Sequence, residues 1–287
     1  MKRVVDSCVE CLYSRQINLV KDKDADVAAA YLADIKSILD NRGDEDCSPY
    51  LVYLFKQKYK EYFGTNTKSF SDEKRKFNDL VLDMLPELQE KIDEASDPLC
   101  QALFMARLGN YIDFGAMNVV NEDEFLSLFD AMTISENDMK TYDQFIKECG
   151  EAKNLLLLAD NCGEIVLDVL FIQELKTRFK DLDVTVLVRG EEALNDVTME
   201  DAYYVGLHNV AYVIDNGNAV TGTVYNMCPP EVQKLIDGAD VILSKGQGNY
   251  ESLSGSGRHV FYSFLAKCDL FMKRFDVPRL TGLFVVE

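Results

Sequence analysis

The sequence predicts an α/β protein, in which a doubly wound, Rossmann-like parallel sheet follows an amino-terminal all-helical domain. Three observations predict it. Apolar residues in the first half recur at helical spacing. The second half alternates short apolar or β-branched runs with helical stretches, the pattern of βαβ units. The change falls near Cys149-Gly150, which divides the chain into a helical domain, 1–150, and an α/β domain, 151–287.

Taken in order, Val27, Tyr31, Ile35 and Ile38 mark one helix, and Val52, Phe55, Tyr59 and Tyr62 a second. Phe77, Leu80, Val81, Met84, Leu85, Leu88 and Ile92 form the clearest stripe and read as core rather than as a cofactor-binding face. Asn41-Arg42-Gly43-Asp44 and Ser96-Asp97-Pro98 carry turn and cap signals between helices. Asp72-Glu73-Lys74-Arg75-Lys76 reads as a solvated helix start. Strands are predicted at 154–159, 184–188, 210–214 and 240–244, with a further one at 260–264 or 281–286. A helix over Pro230-Glu231-Val232-Gln233-Lys234-Leu235-Ile236 lies between the third and fourth. Gly246, Gly248, Gly255 and Gly257 make the stretch after 244 loop-like.

Bulk composition narrows the function classes. With 287 residues, 47% of them hydrophobic, the chain can bury a sizeable core. Its 30 Lys and Arg against 49 Asp and Glu give a net charge of −19. Such a surface repels nucleic acid and anionic membranes, so neither is an expected partner. It still admits an anionic substrate where a cation inverts the local field. No apolar run reaches the ~18 residues that span a bilayer, and Met1-Lys2-Arg3-Val4-Val5-Asp6 lacks a signal-peptide apolar core. Eight scattered cysteines fit a reducing cytoplasm, the expected location. Cys100, Cys149, Cys228 and Cys268 read as small core residues. Cys8 and Cys11, one helical turn apart, make a redox pair, half a metal site or two small helix residues. The last reading is favoured, because no second Cys-x-x-Cys or nearby His completes a zinc site. His208 and His259 each stand alone.

The chemistry-bearing residues cluster where predicted strands end. Asn154-Leu155-Leu156-Leu157-Leu158-Ala159 runs into Asp160-Asn161-Cys162-Gly163-Glu164, and a helix follows. A carboxylate and a carboxamide at a strand's carboxyl end occupy the crevice where open α/β sheets bind ligands. Hard cations take such oxygen donors, and a helix amino terminus favours phosphate. Helix capping by Asp160 or Asn161 is the plainer alternative. The strand 184–188 leads to Asn195-Asp196-Val197-Thr198 and so to a second carboxylate. The strand at 240–244 leads to Lys245-Gly246-Gln247-Gly248-Asn249-Tyr250-Glu251, a glycine-containing turn with a lysine. Taken singly, Asp196 and Lys245 read equally well as solvated surface groups. The turn is not a Walker loop, since the Gly-Lys-Ser/Thr order is missing.

With these motifs, the chain resembles the metal-dependent damage-control phosphatases, a family first catalogued as a domain of unknown function. The resemblance rests on Asp160-Asn161-x-Gly163-Glu164, on Asn195-Asp196-Val197-Thr198 and on the turn 245–251. It extends to Gly109-Asn110-Tyr111-Ile112-Asp113-Phe114-Gly115 and to Cys8-Val9-Glu10-Cys11, as in the short prokaryotic branch of that family. Position 162 departs from the pattern with a Cys where Ala or Ser is commoner.

The resemblance implies one divalent cation, Mn²⁺ or Mg²⁺ first and Ni²⁺ or Co²⁺ next, held by Asp160, Asn161 and Asp196. It implies Asp160, Asn110 and Lys245 as catalytic residues. Asn110, Asp113, Glu164, Lys245, Gly246 and Asn249 are the implied contacts to a small phosphorylated metabolite, a sugar phosphate or a phosphorylated cofactor fragment. Glu164 otherwise reads as a helix-dipole partner, and Asn110 as a cap. The nucleophile is water or Asp160. Water is preferred, because phosphoaspartate-forming enzymes usually show Asp-x-Asp, and Cys162 stands in the second place. A methyltransferase on a Rossmann-like sheet and a non-catalytic sugar- or nucleotide-binding module are the alternatives. The first would need a glycine-rich turn after the first strand, where this chain has one glycine, Gly163.

Overall fold

The computed structural model describes residues 4–65, 68–112, 125, 127–129 and 131–287. Helices α1 (Asp6–Val20), α2 (Ala25–Asp40) and α3 (Ser48–Phe63) come first. Asp24 starts α2 by accepting from the amides of Asp26 and Val27, both at 3.1 Å. Gly64, at φ +67°, closes α3 in the left-handed conformation that suits glycine. Tyr31, Ile35, Leu51 and Phe55 are buried in a core that these three helices form among themselves.

The long stripe from Phe77 to Ile92 folds as two helices, α4 (Ser71–Asp83) and α5 (Leu85–Asp93), broken at Met84. Pro86 is the cause: it has no N–H for the carbonyl of Leu82, and its ring would crowd that carbonyl. Proline is accepted where it stands, in the first turn of α5. Helix α6 (Pro98–Leu108) starts at Asp97, whose side chain accepts from the Cys100 amide at 3.2 Å. It is buried all round, as its nearly uniform apolar sequence requires. Helix α7 (Glu136–Glu151) opens on a reciprocal capping box of Ser135 and Asp138.

The remainder alternates β1 (Asn154–Leu158), α8 (Glu164–Arg178), β2 (Asp183–Val188), α9 (Met199–Tyr204), β3 (Tyr212–Asp215), α10 (Pro230–Gly238), β4 (Val241–Lys245), α11 (Gln247–Leu253), β5 (Phe261–Leu265), α12 (Asp269–Phe275) and β6 (Gly282–Val286). The sheet order is β3-β2-β1-β4-β5-β6. The first five strands run parallel, and β6 pairs antiparallel with β5. Both of the segments offered as a last strand are therefore strands, paired with each other. The order reverses between β1 and β4, the switch point at which doubly wound sheets open a crevice. β1 and β4 are buried along nearly their whole length, as strands covered on both faces must be.

One core runs from Phe77 through Phe104 and Phe145 to Phe171, Phe261 and Phe284, so α4 to α7 pack into the same apolar interior as the sheet. Among the described residues, no helix is long and apolar enough to cross a membrane.

Candidate active site

The switch point gathers the polar residues. β1 ends in Leu158, and Ala159-Asp160-Asn161-Cys162-Gly163 carries the chain to α8. The turn is sharp because Gly163 adopts φ +82°. Its amide donates to Asn78 Oδ1 at 2.6 Å, so α4 clamps the start of α8. On the neighbouring strand, the loop after β2 folds back so that Asn161 and Asp196 form an isolated antiparallel bridge. The Cys162 amide donates to the Asn195 carbonyl at 2.9 Å and the Val197 amide to the Asp160 carbonyl at 2.9 Å. Residues 33 to 37 positions apart in sequence are thus tied backbone to backbone, which sets Asp160, Asn161 and Asp196 side by side.

Their side chains are buried: Asp160 is 6% exposed, Asp196 4% and Asn161 1%. Two carboxamides hold Asp160. Asn110 Nδ2 donates to Asp160 Oδ2 at 2.9 Å, and Asn161 Nδ2 to the same oxygen at 2.7 Å. Both carboxamides also face Glu164 Oε2, at 3.1 and 3.2 Å. Asn110 is itself oriented by the Leu265 amide, which donates to its Oδ1 at 3.1 Å. Asn195 Nδ2 donates to Asn161 Oδ1 at 3.0 Å and to the Ile112 carbonyl at 2.8 Å. Glu164 can come this close to the Asn110 segment because residue 109 is glycine: a Cβ there would lie 2.7 Å from Glu164 Cα.

Lys245 is placed differently from the sequence expectation of a phosphate-directed cation. It ends β4 on the switch-point strand but is 0% exposed. Three oxygens surround its ammonium: Asp168 Oδ1 at 2.6 Å, Glu164 Oε1 at 2.8 Å and the Ala106 carbonyl at 3.2 Å. That matches the three protons of an ammonium group. Burial pulls Lys245 down, but the two carboxylates outweigh it and hold the group above the ordinary lysine range. Burial pushes Asp168 up to about 6, with Glu164 adding to the effect and Lys245 opposing it. Lys245 therefore reaches Asp160 indirectly, through Glu164 and the two carboxamides that Glu164 shares with it.

Gly246 and Asn249 stand beside the same carboxylate. Gly246 adopts φ +80°, and a Cβ there would sit 1.9 Å from Asp160 Oδ2. The lack of a side chain at 246 is what lets the Asp160 carboxylate pack against this turn, in the place a Cβ would need. Asn249 is 0% exposed and bridges strands: its Nδ2 donates to the Lys245 and Ala159 carbonyls at 2.8 and 3.1 Å. Thr223 Oγ1 donates to Asn249 Oδ1 at 2.8 Å. Asp113 lies outside the described residues.

Several groups escaped the sequence reading. Arg189 is 1% exposed, and its Nε donates to Asp196 Oδ2 at 2.6 Å. Its signal was its place directly after β2, at the carboxyl edge of the sheet. Asp168 gave none, because it sits inside an otherwise apolar helix stripe. Lys56, on α3, lies within electrostatic reach of Asp196; burial pulls it down while Asp196 and Glu192 oppose. Lys267 follows β5, is 4% exposed, and its amide donates to Gln247 Oε1 at 2.7 Å.

The donor set fits a hard divalent cation. Asp160, Asn161 and Asp196 offer oxygens only, on loops held together by the backbone bridge. Among the described residues, no set of three or more His, Cys, Asp or Glu side chains is gathered to hold a metal, so any ion here relies on the carboxamide of Asn161 as well. Cys162 lies outside that set: it is 0% exposed, and burial pushes its thiol well up.

The amino-terminal cysteines stand apart from this network. Cys11 is exposed and Cys8 half-buried. Burial and nearby Glu251 and Cys268 push the Cys8 thiol up to about 11, so it is not a ready nucleophile. Cys8→Ser combined with Cys11→Ser is expected to retain most of the site's activity. A loss as deep as that of an Asp160 variant, with the circular dichroism spectrum unchanged, would place the pair in the site after all.

Comparison with known proteins agrees with the fold and with the family resemblance. The model of the damage-control phosphatase ARMT1-like domain matches residues 4–281. The chain is 29% identical over 269 residues to a damage-control phosphatase of Archaeoglobus fulgidus, covering 91% of both. It is 25% identical over 285 residues to a damage-control phosphatase of Pyrococcus horikoshii, covering 96% of both. The crystal structure of a DUF89 family protein from Pyrococcus horikoshii superposes with a TM-score of 0.81 at 24% identity, over 99% of each chain, a likeness of fold. The chain belongs to the damage-control phosphatase ARMT1-like domain family.

Proposed function

We propose that this protein hydrolyses phosphate monoesters of small metabolites, sugar phosphates or phosphorylated cofactor fragments, and depends on one divalent cation. The observation that carries the reading is the backbone bridge between Asn161 and Asp196, which joins Asp160, Asn161 and Asp196 at the switch point of the sheet. These three residues would hold the cation, Mn²⁺ or Mg²⁺ by the hardness of the donors. When bound, it supplies charge neutralisation and orientation of the phosphoryl group for in-line displacement.

The chain's own residues do the rest. Asn110 and Asn161 fix one oxygen of Asp160, and its other oxygen faces Arg189 at 3.6 Å. Gly246, having no Cβ, lets that carboxylate seat directly against the turn after β4. Water attacks phosphorus, the P–O ester bond breaks, and the alcohol leaves with a proton. Asp160 is not the nucleophile in this reading: it has no Asp two positions on, and two donors already engage its Oδ2. Burial favours electrostatic stabilisation over general solvation, since the groups around the phosphoryl are preorganised.

The test is turnover of an aryl phosphate and of several sugar phosphates, with Mn²⁺ added or with EDTA. Hydrolysis with Mn²⁺ and its loss in EDTA are expected. Undiminished hydrolysis in EDTA would sink the cation dependence, and no hydrolysis of any ester would sink the phosphatase reading.

A further inference from the structure

Arg189 has a geometry that a purely structural ion pair does not need. Its Nε donates to Asp196 Oδ2 at 2.6 Å, and its Nη2 lies 3.6 Å from Asp160 Oδ1 and 3.5 Å from Asn249 Oδ1. The guanidinium, 1% exposed, is therefore lodged between the two carboxylates assigned to the cation. Nη1 is buried and has no hydrogen-bond partner among the described residues. Leaving a buried donor unpaired is costly, and a site that tolerates it usually has a use for the group.

Two carboxylates this close repel each other unless a positive charge is near. Arg189 is the cation that approaches both carboxylates, whereas Lys56 reaches Asp196 only electrostatically and the Lys245 ammonium is surrounded by Asp168, Glu164 and the Ala106 carbonyl. A divalent ion binding to Asp160 and Asp196 would compete with the guanidinium for the same oxygens. An arginine released from such a pair presents a planar fork of donors, which matches two phosphoryl oxygens better than a lysine does.

We propose that Arg189 is the internal counter-cation of the Asp160–Asp196 pair, that a divalent ion displaces it, and that its freed fork then grips the phosphoryl oxygens of the substrate. This rests on reading the site as that of a divalent-cation phosphatase. It accounts for the one orphaned arm of the guanidinium and for a cation buried where another cation is to bind.

The test uses the full chain with Arg189→Met, which removes the charge, and Arg189→Lys, which keeps the charge without the fork. Mn²⁺ binding and the binding of inorganic phosphate to Mn²⁺-loaded protein are measured by calorimetry, alongside the Tm of metal-free protein. For Arg189→Met, the metal-free Tm should fall, Mn²⁺ affinity should rise about tenfold or more with the competitor gone, and phosphate affinity should drop roughly 10- to 150-fold for a lost charge-assisted contact. Arg189→Lys should keep the metal-free Tm near that of the wild type and still lose phosphate affinity, which preserves the test if the Met variant does not fold. Mn²⁺ affinity that is unchanged or weaker in Arg189→Met overturns the displacement, and phosphate affinity unchanged in Arg189→Lys overturns the grip. Failure of Mn²⁺ to bind even the wild type would instead remove the cation reading underneath.

Discussion

Asp160→Asn is expected to lower kcat/KM for every phosphate ester by on the order of 10³-fold or more, with the fold retained. The substitution is nearly isosteric but reverses the local chemistry. Asp160 Oδ2 accepts from both Asn110 and Asn161, and Oδ1 faces Arg189. A carboxamide can keep its oxygen toward the two donors only by turning its NH₂ toward the guanidinium, donor against donor. The charge that would ligate a cation is lost in either orientation. Aryl phosphate turnover at saturating Mn²⁺, with Mn²⁺ binding measured in parallel, is the check. Wild-type turnover and wild-type metal binding in the variant would be fatal to the assignment of Asp160.

The largest loss of stability is expected at Lys245. Lys245→Met keeps the apolar stem and removes the ammonium from between Glu164 and Asp168, both 0% exposed. Breaking a buried pair in this way costs about 3–5 kcal/mol, because the remaining charge has no partner. Equilibrium urea denaturation measures it. Adding Glu164→Gln and Asp168→Asn to Lys245→Met should restore much of the loss, since neutral carboxamides need no counter-charge.

The pH dependence has a definite sign. Asp168 is pushed up to about 6 in the folded protein, above the ordinary carboxyl value near 4. Its stabilising contribution is therefore complete below that ordinary value and is lost as pH rises toward 6 and beyond. In Lys245→Met the opposing pull of the lysine is gone, so the loss should extend to higher pH and the variant should gain stability on acidification. The competing outcome is equally concrete. A Lys245 that holds phosphate directly would leave stability intact and lower kcat/KM by one factor across all esters.

How much of this was legible in the sequence differs from group to group. The strands at 154–158 and 241–245 could be read because burial on both sheet faces demands continuous apolar runs. The break at Met84 was legible in principle, since Pro86 cannot continue a helix, but the apolar stripe runs through it unbroken. Asp160, Asn161 and Asp196 could be found because polar residues just past buried strands mark the ligand-binding edge of such sheets. Asp168 could not, because a single carboxylate within the apolar stretch 165–172 looks like a solvated position until its neighbours are known. Arg189 shared its strand-end position with Asp160 but had no visible partner, since its contacts come from residues 7, 29 and 60 positions away.

The sequence by itself determined the succession of helices and strands, the strand ends that carry oxygen donors, and the strongly acidic balance of the chain. Those features follow from local periodicity and composition, which each segment carries whatever it packs against. Only the tertiary structure decided the role of each charge. Whether a lysine at a strand end meets a substrate or a buried carboxylate depends on which groups surround it and on how much water they exclude. For Lys245 those groups are Ala106, Glu164 and Asp168, brought from two helices onto one strand end. In a site without water, charge is stabilised only by the neighbours the fold supplies, and that is set by packing rather than by spacing along the chain.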